Sequence, residues 1–386
     1  MDSNLIIKKF DTKLKLKDQK KLLDYLKKIN NLEWPEFFKT YKKNYNYSYD
    51  KKFIKKYKHF NNINIIGMGG SSLGSKAIYN FLIHKIKKKL TFSENLNFRK
   101  KNKKKSLNII ISKSGNTLET IVNFNSQFKK KDKNIFITEK SNNYLEKLAN
   151  KLKSDVVEHK NFIGGRFSVL SEVGMLPAEL MGLKEGQFKQ FNNLITKKKF
   201  LKNLINNVLS TYQFVKTKKF NSVILNYDSN SEDFFKWYQQ LVSESLGKNS
   251  KGIFPIISTM PKDNHSMLQL YLSGFKPNFY TFFISEEKNS EKLNPNLLTN
   301  NLNFLKKKNI FQILDSQRIA TQNIFRLKKI PFRSFYVKQR NEKTLGELFC
   351  FFTLEVILLS HLLKVNPLDQ PEVELIKKET FKIIKK

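Results

Sequence analysis

Residues 62–74 read NINIIGMGGSSLG, and the junction inside this stretch decides the fold. Asn62 to Ile66 is a short β-branched run that breaks at a turn containing Gly67, Gly69 and Gly70. Ala77, Ile78, Phe81, Leu82 and Ile86 then recur at helical spacing, so the stretch predicts a strand, a tight turn and a helix. The same grammar follows once more. Leu107 to Ile111 is an unbroken apolar run, residues 112–117 read SKSGNT, and Leu118, Ile121, Val122 and Phe128 mark the next helix. Residues 134–138 (NIFIT) are a third strand. Strands alternating with helices predict parallel pairing through right-handed crossovers, with both sheet faces covered. The class is α/β.

Outward from there, the pattern restarts after the Lys-rich segment 197–203, with strands expected at 222–225, 279–284 and 334–337. Two successive α/β units are expected, over 59–200 and 201–365, joined near 190–210. Residues 1–58 read as a helical lead carrying the stripe Leu14, Leu16, Leu22, Leu23, Leu26 and Ile29. Residues 366–386 read as a helical tail, with Asp369 as its N-cap and Pro371 in its first turn. The apolar stretch 344–365 is interrupted by Glu347, Glu355 and His361, so it reads as a buried helix and not a membrane span. Lys-rich runs at 87–89 and 100–105 read as solvated loops and helix ends. No clear internal repeat is visible.

Composition excludes several classes. The 386 residues hold 72 Lys+Arg against 33 Asp+Glu, a net charge of +39. Only six of the basic residues are Arg, and specific nucleic-acid recognition leans on Arg. The Lys is spread along the whole chain beside abundant Asn, Ile and Phe, which is the mark of an A/T-rich gene and predicts no specific nucleic-acid partner. A hydrophobic fraction of 40% excludes a disordered polycation. The single cysteine, Cys350, rules out an internal disulfide framework and suits a reducing cytoplasm. The opening residues lack the apolar core of a secretion signal. Five His and one Cys, widely scattered, offer no zinc spacing, so neither metal nor cofactor is expected.

In an open parallel sheet, ligands bind beyond the carboxyl ends of the strands, where both GMGGSSLG and SKSGNT fall. The glycines permit close backbone approach, and the helix starting near Ser72 points amide N–H groups at the mouth. The pattern lacks the third glycine of a dinucleotide fingerprint and the Gly-Lys-Ser/Thr of a nucleotide P-loop. In the second loop Ser112, Ser114, Asn116, Thr117 and Thr120 cluster at a strand-to-helix turn. Ordinary helix capping explains one such loop equally well. Two on adjacent strands point to a phosphate or sugar phosphate.

GMGGSSLG and SKSGNTLET resemble the sugar isomerase (SIS) domain. GGRFSVLSEVG (164–174), WYQQLVSESLGK (237–248), DNHSMLQLY (263–271) and NPLDQPEVELIK (366–377) resemble the phosphoglucose isomerase family, in the family's order. The resemblance implies two SIS-type α/β units and an obligate dimer that interconverts glucose 6-phosphate and fructose 6-phosphate. It also implies roles. Gly70 and Ser71 touch the sugar phosphate together with the loop Ser112, Lys113, Ser114, Gly115, Asn116 and Thr117. Arg166 sits over the reacting carbons, Gln240 lines the sugar site, and Glu244 is the catalytic base. His265, reaching across from the other subunit, and Lys377 complete the site.

These residue types suit the implied chemistry. Aldose–ketose interconversion moves a proton between C2 and C1 through an enediol, which needs an ionised carboxylate beside a low-polarity face. A fixed guanidinium meets the enediolate charge, and a His beside a Lys can shuttle the ring-opening proton near neutral pH. A relative that also accepts mannose 6-phosphate remains open, because proton transfer at C2 alone does not dictate the epimer. The sequence departs from the family's pattern at Ser72 and Asn116 in the phosphate site, at residues 258–261 before His265, and at Glu372 and Ile376 near Lys377.

Overall fold

The structure, a computed structural model, describes residues 4–12, 20, 22–25, 34–96 and 105–386. Among these, ten strands form two five-stranded sheets. The first has the order β3 (Lys89–Ser93), β2 (Asn62–Ile66), β4 (Leu107–Ile111), β5 (Lys133–Thr138) and β6 (Asp155–Glu158), all parallel. The second has the order β8 (Phe254–Thr259), β7 (Asn221–Asn226), β9 (Asn278–Ser285), β10 (Phe332–Val337) and β1 (Leu5–Lys8), with only β1 antiparallel. The α/β class read from the alternation is the observed one.

Central strands carry the clearest signal. Every residue of β4 and of β9 is buried, as a parallel strand covered on both faces requires. The two sheets also share one order. A central strand (β2 or β7) pairs first with its successor (β3 or β8) and then with the next strand across the switch (β4 or β9). This correspondence, invisible as a sequence repeat, lives in topology and not in side chains. The fifth edge differs, being β6 in one sheet and β1, from the chain's start, in the other.

Leu5–Lys8 therefore corrects the helical reading of the lead: it is a strand, registered against residues 334–337. Within the rest of that lead, Glu36–Tyr41 is a 3-10 helix and Lys51–Tyr57 an α-helix; Leu14, Leu16, Leu26 and Ile29 lie outside the described residues. Lys89 opens a strand where a loop was expected, because β3 is an edge that turns Leu90 and Ser93 inward and its Lys outward. Of the run 100–105, only Lys105 is described.

The connector near 190–210 is no linker. Lys198–Lys216 is a long helix with ten buried side chains, packed on the helix Glu342–Leu363. That second helix is long and apolar enough to cross a membrane by length and composition, yet it is enclosed almost throughout. Its Glu355 is paired with Arg333 (Nη2 to Oε2 3.1 Å), whose guanidinium also lies over the rings of Phe10, Phe335 and Phe352. One continuous apolar core runs through strands of both sheets and through this helix.

Candidate active site

Both glycine- and serine-bearing loops leave neighbouring parallel strands, β2 and β4, at the point where the chain crosses to opposite sides of the sheet. Gly69 takes φ +54°, a left-handed turn that favours glycine. At Gly70 a Cβ would lie 2.2 Å from the carbonyl of Gly165, so the 67–70 and 164–166 loops touch backbone to backbone. Ser168 locks them, donating to the Gly70 carbonyl at 3.2 Å and the Gly165 carbonyl at 2.7 Å. Ser71 is half-buried at the mouth, whereas the buried Ser72 hydroxyl turns inward to the Gly69 carbonyl at 3.3 Å. Ser72 thus braces the loop.

In the second loop, Ser112 and Thr117 hydroxyl oxygens lie 2.8 Å apart, and Thr117, at the N-cap position of the helix Leu118–Gln127, makes no side-chain capping bond to it. Gly115 has φ +65°, and a Cβ there would sit 1.8 Å from Asn143 Oδ1. Asn143 is the loop's brace: its amide donates to Thr138 Oγ1 at 3.0 Å and to the Glu139 carbonyl at 2.8 Å. Asn116 accepts from the Tyr144 N–H at 3.2 Å. Lys113 leans away, donating to the Asn161 carbonyl at 2.7 Å, while Ser114 is exposed.

Gln240 and Glu244 occupy one face of the helix Glu232–Leu246 at i, i+4 spacing. Glu244 is held at both oxygens: Gln240 Nε2 donates to Oε1 at 2.9 Å, and Arg166 Nη1 donates to Oε2 at 3.0 Å. Its side chain is 24% exposed, against 2% for Arg166. A Cβ on Gly69 would lie 2.8 Å from Gln240 Nε2, so the first loop's glycine leaves room for that amide. Gln240 Oε1 is buried with no partner among the described residues, an unsatisfied acceptor at the site.

Arg166, expected over the reacting carbons, is buried beside Glu244 and held by the chain itself. Its Nε donates to Ser245 Oγ at 2.9 Å, Nη1 to Glu244 and Gln370, and Nη2 to the carbonyls of Pro367 and Asp369. All five N–H groups are engaged within the chain. Burial lowers its pKa from the ordinary arginine value, and the Glu244 carboxylate opposes that shift.

The tail joins the two halves of the site. Gln370, Pro371 and Glu372 line a 540 Å³ cleft with Ser243 and Glu244. Farther along the tail helix Pro371–Ile384, Ile376, Lys377 and Phe381 line a 360 Å³ cleft with Ser114, Asn116 and Thr117. Lys377 is thereby placed beside the SKSGNT loop, paired with Glu374 at 2.6 Å. Gln370, not Asp369, holds the N-cap position of that helix, without a side-chain capping bond, and Asp369 instead pairs with Lys248 at 2.6 Å. His265 stands apart: it is exposed on the turn Lys262–His265 after β8, and neither partner of Glu244 is His265. Among the described residues no group of three or more His, Cys, Asp or Glu side chains converges as a metal site.

The family model described as phosphoglucose isomerase matches residues 49–258, more than half of the chain. The chain belongs to the phosphoglucose isomerase family. It is 33% identical over 364 residues to the glucose-6-phosphate isomerase of Methanocaldococcus jannaschii, covering 87% of this chain and 88% of that one. Among solved structures, a hypothetical protein from Thermus thermophilus shares the fold with a TM-score of 0.79 at 20% identity, covering 98% and 99% of the two chains. A glucose-6-phosphate isomerase from Chlamydia trachomatis shares it with a TM-score of 0.70 at 18% identity, covering 86% and 71%. As a phosphoglucose isomerase family member, the chain places Gly70, the 112–117 loop, Arg166, Gln240 and Glu244 inside the matched span, with His265 and Lys377 beyond it. Sequence reading passed over Gln370, Ser245 and Asn143. The first two stood inside quoted motifs, but nothing in their spacing said that the tail folds back onto Arg166.

Proposed function

We propose that the chain interconverts glucose 6-phosphate and fructose 6-phosphate, with Glu244 as the proton-transferring base. The carrying observation is the two-sided clamp on Glu244, beside the glycine turn that follows β2. The phosphate is held by Gly70 and Ser71 with the 112–117 loop, through amides and hydroxyls. Gln240 Oε1 accepts a sugar hydroxyl. Glu244 removes the C2 proton from the open-chain aldose, the electron pair moves into the C1–C2 bond, and an enediolate oxygen takes the charge. A proton then passes from the C2 hydroxyl to O1, and as the C2 carbonyl forms the protonated Glu244 returns its proton to C1, leaving the ketose and an ionised carboxylate.

Arg166 serves this step through charge transfer between partners. When Glu244 accepts the proton it becomes neutral, and the guanidinium it had balanced faces the new enediolate charge. Ring opening falls to Lys377 and, as the family resemblance implies, to a His265 reaching across from the second subunit of a homodimer; the exposed turn that carries His265 suits that reach. Cys350, the single cysteine, is buried, and we place the enzyme in a reducing cytoplasm.

The test supplies fructose 6-phosphate without added metal and follows glucose 6-phosphate through a coupled dehydrogenase. Turnover is expected; none at micromolar enzyme contradicts the reading. Mannose 6-phosphate in a parallel assay measures the breadth of the substrate range.

A further inference from the structure

Residues 366–370, NPLDQ, cross the buried guanidinium of Arg166 as a strap with its carbonyls turned inward onto cations. Arg166 takes those of Pro367 and Asp369, the latter at 2.9 Å. A second cation takes one more and shares another. Lys248 Nζ donates to the Asn366 carbonyl, to the Asp369 carbonyl at 2.7 Å and to the Asp369 carboxylate at 2.6 Å. Arg166 and Lys248 thus share one carbonyl. Asn366 closes the turn, donating from Nδ2 to Asp369 Oδ2 at 3.0 Å and accepting the Leu368 N–H at 3.0 Å.

The placement of Lys248 gives this contact its consequence. It stands four residues after Glu244, just past Gly247 at the end of the base's own helix. Its side chain is 12% exposed and its three ammonium donors all go to the strap, although it lines the same cleft as Glu244. The strap in turn delivers Gln370 Oε1 to Arg166 Nη1, the nitrogen that holds Glu244, and it leads directly into the tail helix bearing Lys377. An exposed Lys–Asp pair alone contributes little. Three converging donors on one five-residue strap fix its position.

We propose that Lys248 is a positioning residue for the isomerisation, tying the strap to the base helix so that Gln370 and Arg166 hold Glu244 in register. The proposal rests on the isomerase reading above. It acts through the strap, with no bond from Lys248 to substrate.

The experiment compares wild type with Lys248→Met, Lys248→Arg, Gln370→Ala and the Lys248→Met/Gln370→Ala pair, assayed on fructose 6-phosphate well below the thermal midpoint. Lys248→Met is expected to lower kcat about 10-fold or more while KM changes about threefold or less, with partial recovery in Lys248→Arg. The double variant should lose little beyond the worse single variant, because both changes disturb one chain of contacts. A lowered Tm with wild-type kcat overturns the proposal, as does full multiplication of the two losses. If Lys248→Met does not fold, Asp369→Asn removes the carboxylate half of the tie on an exposed side chain. Reduced kcat there supports the tie, and unchanged kcat contradicts it. An inactive wild type overturns the isomerase reading, and the tie with it; an active wild type beside an unimpaired Lys248→Met overturns the tie alone.

Discussion

Gln240 has two faces at the candidate site: its amide nitrogen orients Glu244, and its amide oxygen is buried without a partner among the described residues. Gln240→Leu keeps the bulk and removes both functions. A hydrogen bond to a charged group is worth roughly 1.5–3 kcal/mol, so kcat/KM should fall about 10- to 100-fold with little change in Tm. Steady-state kinetics beside a thermal melt checks this. The arginines tell a related story. All five described ones are engaged with carboxylates, amides or ring faces: Arg166, Arg318, Arg326, Arg333 and Arg340. Rarity marked Arg166 in the sequence, and the structure uses it as a fork that Lys could not replace. Gln370 and Lys248 carried no such mark. Their roles come from contacts spanning 204 and 121 positions, which local spacing cannot encode.

At the scale of elements, the two loops depend on glycine where backbones meet. Gly70→Ala would drive a Cβ into the Gly165 carbonyl at 2.2 Å, which no side-chain rotation relieves. We expect a stability loss of about 2 kcal/mol or more and a raised KM for the sugar phosphate, read from denaturant melts and kinetics. Gly186→Ala is the contrast: its Cβ meets nothing within 4 Å, so the change should be neutral or stabilising by about 0.4–1 kcal/mol. Legibility followed the same physics. The inner strands β2, β4, β5, β7, β9 and β10 were readable because each carries a cluster of buried β-branched or aromatic residues. The outer strands β1, β3, β6 and β8 were missed, because an edge tolerates Lys, Asp and Pro that mask the strand signal.

For the whole molecule, the charge of +39 hides a lysine that stands out among the described ones. Lys189 is fully buried, donating to the carbonyls of Thr40 and Leu170 with the Tyr45 and Tyr47 rings 5.4 and 4.9 Å away. Burial pushes its pKa down to about 7, against the opposing pull of Glu172, Glu185 and Glu179. In the unfolded chain it titrates near ~10.4. Between those values the unfolded state binds the extra proton, so stability rises with pH across that window, by up to ~1.4 kcal/mol per unit. Melts of wild type and Lys189→Met from pH 7 to pH 9 should show a steeper rise in wild type; parallel curves contradict this. The Leu170 carbonyl ends the same 3-10 helix that carries Arg166, so this buried lysine also braces the site.

The central claim is that the Glu244 carboxylate carries the proton. Glu244→Gln keeps the shape and the bond to Arg166 while removing the base. Its kcat for fructose 6-phosphate, measured with equilibrium binding of the same ligand, should fall about 100-fold or more while affinity stays near wild type. Near-normal turnover by Glu244→Gln would contradict the assignment.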